Sequence, residues 1–116
     1  MSIAVSGITF DARDAKVAAA FWAAALGRNV AGGADEASAA VEPDPAIPGS
    51  RIGFRRVPEG KTVKNRMHFD LATGDFDAEV RRLTGLGATK LNETNAGIHF
   101  VTLADPEGNE FDLIDR

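Results

Sequence analysis

Most of the residues that could do chemistry lie in two short segments. One is Met67-His68-Phe69-Asp70-Leu71; the other is Glu110-Phe111-Asp112-Leu113-Ile114, preceded by Asp105-Pro106-Glu107-Gly108-Asn109. A neutral imidazole, with a reference pKa of about 6.5, can take up or release a proton near neutrality, so His68 is a candidate general acid or base. Asp70 and Asp112 could orient that ring or hold a cationic group. Arg55 is a fixed positive charge that donates hydrogen bonds and accepts none, suited to an oxygen on which negative charge develops. No cysteine is present, which excludes thiolate nucleophiles, thiolate metal sites and disulfides.

These residues need strands to aim them. Apolar and polar residues alternate around His68, so a strand over 66–72 sends His68 and Asp70 to one face and Met67, Phe69 and Leu71 to the other. The Pro106 and Gly108 turn joins Ile98–Leu103 to the last strand as a tight hairpin. Pairing Ala104 with Glu110 sets Leu103 against Phe111, Thr102 against Asp112 and Val101 against Leu113, which matches apolar residues across the pair. In that register His99 shares the parity of Val101 and Leu103. A site of two histidines and one carboxylate, His68, His99 and Asp112, is therefore not expected.

The pattern is doubled. A strand within Ile3–Ala12 leads to Asp14 as helix cap, a stripe of Val17, Phe21 and Leu26, and a stop at Gly27. Three short strands follow, near 29–31, 37–41 and 51–57. The strand at 66–72 then leads to Asp75 as cap, a stripe of Phe76, Val80, Leu83 and Leu86, a stop at Gly87, and three more strands. The order is β-α-β-β-β twice, at nearly equal intervals, as an internal duplication gives. The expected fold is α+β: a curved, mostly antiparallel sheet around a cavity, with both helices outside. Helix-facing residues would be Ile8, Phe10, Phe54, Phe69, Leu71, Phe111 and Leu113. Gly7, Thr9, Asp11, Gly53, Arg55, His68, Asp70, Thr102 and Asp112 would line the cavity. One domain is expected over residues 1–116, with module one at about 1–58, a basic connector at 59–65 and module two at about 66–116.

Composition agrees with a small globular domain: 116 residues, 44% hydrophobic, 26% charged. A formal charge of −4 without a basic face argues against nucleic acid. The alanine-rich stretch 17–26 is too short for a membrane span, and no signal-peptide pattern opens the chain, so a cytoplasmic location is expected.

The doubled order, Phe21-Trp22 before Leu26-Gly27, His68-Phe69-Asp70-Leu71 and the Asp105–Asn109 turn together resemble the vicinal oxygen chelate superfamily. Within it the resemblance is closest to small glyoxalase-like, bleomycin-resistance-type proteins. Metal-using members hold one divalent ion with four side chains, and the resemblance places two of those on His68 and Asp112. The other two positions fall on Gly7, which has no side chain, and on Arg55, or Gly53 in a shifted register. A guanidinium cannot ligate a cation. No cofactor is therefore expected, with Zn, Ni, Mn or Fe held by His68 and Asp112 as the alternative.

The resulting expectation is a lyase- or isomerase-type enzyme that moves a proton on a small, oxygenated, anionic metabolite. His68, Arg55 and Asp112 would be catalytic, and Asp70, Thr9, Asp11 and Thr102 would bind substrate. The alternative is a non-catalytic protein that sequesters a small, antibiotic-type molecule. The resemblance also implies a homodimer.

Overall fold

The computed structural model describes residues 2–116. The chain divides into two compact units, the first ending at Gly60 and the second beginning at Lys61. The first contains β1 (Gly7–Ala12), α1 (Ala15–Leu26), β2 (Ser38–Val41) and β3 (Arg51–Arg56). Its sheet runs β1-β3-β2, with β1 parallel and β2 antiparallel to β3. The strand expected at 29–31 shrinks to one bridge, Val30 to Val41.

Asp14 caps α1 as expected: its Oδ1 accepts the Val17 N–H at 3.1 Å. Gly27, at φ 67°, ends it in the left-handed conformation that glycine tolerates. The buried stripe differs from the expected one. Phe21 is buried as expected, but Val17 is half exposed, and the helix buries Ala15, Ala18, Ala19, Trp22, Ala23 and Ala25 as well. Small alanines let the helix lie close to its sheet, while Trp22 and Phe54 fill the remaining volume. Each such fully buried large side chain contributes roughly 1.5–3 kcal/mol.

The second unit contains β4 (Asp70–Thr73), α2 (Phe76–Leu86), β5 (Thr89–Ala96), β6 (Ile98–Ala104) and β7 (Glu110–Asp115), in the sheet order β4-β7-β6-β5. In both units the first strand lies parallel to the last, β1 to β3 and β4 to β7, so the repeat extends to the pairing itself. The fold is α+β with strands of mixed direction, hydrogen-bonded as two sheets that do not close into a barrel.

The β6–β7 register is the expected one, with Leu103 opposite Phe111, Thr102 opposite Asp112 and Val101 opposite Leu113. Its turn is built on Asp105. The buried Asp105 carboxylate accepts the N–H groups of Glu107 and Asn109, each at 2.9 Å, and Gly108 supplies the positive φ of 86°. Phe111, Leu113, Leu83 and Leu103 form the core beneath α2.

Two local expectations fail. The strand expected over 66–72 begins at Asp70, and Met67, assigned to the face of Phe69 and Leu71, is 73% exposed. The backbone joins the ladder only when the Phe69 carbonyl accepts the Asp112 N–H at 2.9 Å. Asp75 stands at the start of α2 but makes no side-chain cap; its own N–H donates to Thr73 Oγ1 at 3.0 Å. Among the described residues no helix is long and apolar enough to cross a membrane.

Candidate functional site

The candidate site of the second unit follows from its strand pairing. Asp70 and Asp112 are partners in the parallel β4–β7 pair, and partnered residues present their side chains on the same face. His68, two residues before Asp70, shares that face. Its Nδ1 lies 3.1 Å from Asp70 Oδ1 and 3.9 Å from Asp112 Oδ2. Thr102, opposite Asp112 in the hairpin, donates its hydroxyl to Asp112 Oδ1 at 2.6 Å. That bond commits one oxygen of Asp112 to the wall and leaves the other turned toward His68. Among the described residues no hydrogen bond reaches His68 Nε2, and the side chain is 41% exposed.

This arrangement has two chemical uses. With the Nδ1 proton given to Asp70, the Nε2 lone pair is directed outward as a base, and the carboxylate stabilises the imidazolium that forms on protonation. Alternatively, one donor atom each from His68, Asp70 and Asp112 lies within 4.8 Å of the others, a spacing that a divalent cation could bridge. One imidazole and two carboxylates suit Mn, Zn, Ni or Fe(II). The sequence reading counted two donors here, His68 and Asp112; the structure adds Asp70 as a third.

Residues that sequence reasoning passed over hold this site in place. Glu110, two residues before Asp112, accepts the Asn65 backbone N–H at 3.1 Å and the ammonium groups of Lys61 and Lys64 at 3.4 and 3.2 Å. Asn65 returns the contact: its Oδ1 accepts the Glu110 N–H at 2.9 Å, and its Nδ2 donates to Asn109 Oδ1 at 3.0 Å. The Asn65 N–H first, then Lys64, holds the Glu110 carboxyl below its ordinary range. The basic run read as a plain solvated connector is thus tied by this clasp to the β6–β7 turn, three residues before His68.

The second histidine lies on the other face of the sheet, as its parity predicts. His99 Nε2 is 2.7 Å from Glu93 Oε2 and Nδ1 is 3.4 Å from Asp115 Oδ2, while its ring packs on Phe76 of α2 at 4.1 Å between centroids. Bonding to Glu93 above all raises its pKa. Both nitrogens are engaged, and His99 is absent from the metal-competent group.

On the first unit, Thr9 lies beside Gly53 and Asp11 beside Arg55 in the β1–β3 register, so these sequence-named residues share one sheet face. All of Thr9, Asp11 and Arg55 are exposed. Gly7 is a glycine for a steric reason: a Cβ there would come within 2.8 Å of the Arg51 carbonyl oxygen. A liganding side chain at this position would have to displace backbone.

A family model for the glyoxalase-like domain matches residues 7–114. The chain belongs to the glyoxalase-like domain family. Solved structures from the glyoxalase, bleomycin resistance and dioxygenase superfamily share its fold. A glyoxalase/bleomycin resistance protein/dioxygenase family enzyme from Burkholderia phytofirmans is 23% identical, at a TM-score of 0.72 over 97% of this chain and 98% of that one. The fosfomycin resistance protein FosX of Listeria monocytogenes, in complex with Mn(II) and 1S,2S-dihydroxypropylphosphonic acid, is 16% identical, at a TM-score of 0.73 over 99% and 91%. A possible glyoxalase from Bacillus cereus is 16% identical, at 0.70 over 97% and 99%. None of the curated proteins matches this glyoxalase-like chain.

Proposed function

We propose that this glyoxalase-like protein is a lyase- or isomerase-type enzyme that moves a proton on a small, oxygen-bearing, anionic substrate, with His68 as acid and base. The observation that carries this reading is the 3.1 Å approach of His68 Nδ1 to Asp70, which leaves Nε2 unengaged. Nε2 removes a proton from a carbon next to a carbonyl; Asp70 stabilises the resulting imidazolium, which returns the proton to a neighbouring atom. Asp112, fixed by Thr102, keeps a second carboxylate oxygen toward the ring.

His68, Asp70 and Asp112 would also be the residues to hold a divalent ion. Such an ion, when bound, supplies positive charge that polarises a substrate oxygen. The Mn(II) and phosphonate named for the FosX structure support looking first at Mn(II) and at phosphonates or 2-oxo acids.

The test is deuterium wash-in, followed by proton NMR, over a panel of small 2-oxo acids and phosphonates in D2O. Exchange by the native protein that is lost in His68→Ala is the expected result. Equal exchange by His68→Ala, or tight binding of a panel member with no exchange, contradicts the reading. The latter outcome favours the second one, sequestration without chemistry, for which the exposed carboxylates of Asp11 and Asp70 speak. The homodimer rests on family resemblance and is checked by sedimentation equilibrium.

A further inference from the structure

The first unit's sheet carries Thr9, Asp11 and Arg55 on one face. Ile52 and Phe54 of β3 are buried, with Phe54 stacked on Phe10 at 5.7 Å, so the odd-numbered residues of β3 occupy the opposite face. There Arg51 and Arg55 are both exposed and flank Gly53, itself buried. In register, Thr9 lies beside Gly53 on β1 and Ala40 beside it on β2. A Cβ built on Gly53 would lie 2.9 Å from Thr9 Oγ1 and 3.3 Å from Arg51 Nη1. A hydroxyl and a guanidinium nitrogen therefore converge over a residue of this face that has no side chain.

Asp11 is the carboxylate beside these arginines in the strand register. Among the described residues the first unit's ion pair is Arg56 with Glu36, and Arg51, Arg55 and Asp11, Arg55's partner in register, are in none. Arg56, the next residue along the same strand and of opposite parity, is instead paired with Glu36 at 3.6 Å. The donor-only Arg51 guanidinium beside a hydroxyl, above a small-residue floor and with Arg55 farther along the same face, has the chemistry of an oxyanion seat.

We propose that Arg51, Arg55 and Thr9, around Gly53, bind the carboxylate or phosphonate group of a small ligand. Arg51, which the sequence reading did not single out, is the residue whose guanidinium stands at the notch beside Thr9. The natural ligand class rests on the anionic substrate proposed above; occupancy of the seat does not depend on turnover.

The experiment titrates methylphosphonate and, separately, acetate into the full-length protein and follows the arginine Nε–Hε resonances. Methylphosphonate binding expected at Arg51 and Arg55 should weaken about tenfold or more in Arg51→Gln, the loss of a charge-assisted hydrogen bond. Arg56→Gln, an equal change of charge on the same strand, should leave it within about twofold. Gly53→Ala, which keeps every arginine and fills the notch, should weaken it too. Stronger binding of acetate than of methylphosphonate would assign the seat to carboxylates. No shift at Arg51 with either anion, or equal weakening by Arg56→Gln and Arg51→Gln, overturns the proposal. Loss of the seat with deuterium exchange intact would leave the role of His68 standing, whereas anion binding without exchange would do the reverse.

Discussion

The second unit contains two histidines, each within reach of two carboxylates, and they are built for different work. His68 offers one nitrogen to Asp70 and Asp112 and keeps the other unengaged. His99 has both nitrogens committed, to Glu93 and Asp115, and its ring pressed on Phe76. Histidine and carboxylates in proximity therefore do not define a reactive site. What separates the two is which face of the sheet they occupy: the helix covers His99 with an aromatic ring, while nothing in its own unit engages His68 Nε2.

The largest expected effect sharpens this contrast directly. His68→Ala should lower deuterium exchange by roughly 10²–10⁴-fold, the usual contribution of a positioned acid or base. His99→Gln should leave exchange within a few-fold; comparable losses in the two variants would erase the distinction. A second effect concerns the carboxylate that Thr102 holds. Thr102→Val frees Asp112 Oδ1 and should weaken Mn(II) binding by roughly 10–100-fold, as loss of a supporting hydrogen bond to a ligand does. Calorimetric titration with Mn(II) measures it, with Glu93→Gln as the control that should leave affinity unchanged.

A third change strikes both histidines equally. Asp105→Ala removes the acceptor for two backbone N–H groups in the turn of the hairpin that carries His99, Thr102, Asp112 and Asp115. It should destabilise the protein by about 1–3 kcal/mol in denaturant unfolding, the cost of unsatisfied buried donors.

The smallest effect is a pH dependence that belongs to His99. Its pKa is raised in the folded state above the ordinary 6.5, so its contribution to stability is complete below 6.5 and is lost as pH rises through the raised value. The Glu93 carboxyl is held below 4.5, by Lys90 first and His99 second, so its contribution is present above 4.5 and lost as pH falls through the lowered value. Midpoints of denaturant unfolding should therefore decline from about pH 6 toward pH 8, and His99→Gln should flatten that slope. A slope unchanged in His99→Gln would show that the Glu93–His99–Asp115 contacts are not maintained in solution.

Much of this was legible in the residues. Hairpin parity alone separated His99 from His68 and placed Thr102 opposite Asp112, because turn chemistry and apolar matching fix an antiparallel register locally. The Asp14 cap and the Gly27 and Gly87 stops are likewise local. Harder to read was anything set by distant chain. The Asn65–Glu110 clasp joins residues 45 apart, and neither shows in its own neighbourhood what it will meet. Parallel pairing of β4 with β7 decides that the ladder begins at Asp70, so alternation extrapolated back to Arg66 gave a strand to residues that lie before it. The stripe of α1 was misread because alanine carries little hydrophobic signal, and the larger Val17 was taken for the buried one. On the first unit the arginine at 51 drew no notice, since its meaning depends on a glycine two residues on and a threonine on another strand.

The central claim is that Asp70 holds His68 through Nδ1 and leaves Nε2 as a bare base. Long-range ¹H–¹⁵N correlation of the imidazole rings, recorded at alkaline pH, reads this without a substrate. A proton on Nδ1 with an unprotonated Nε2 is the predicted pattern, reverting in Asp70→Asn. A proton on Nε2 in the native protein would contradict it.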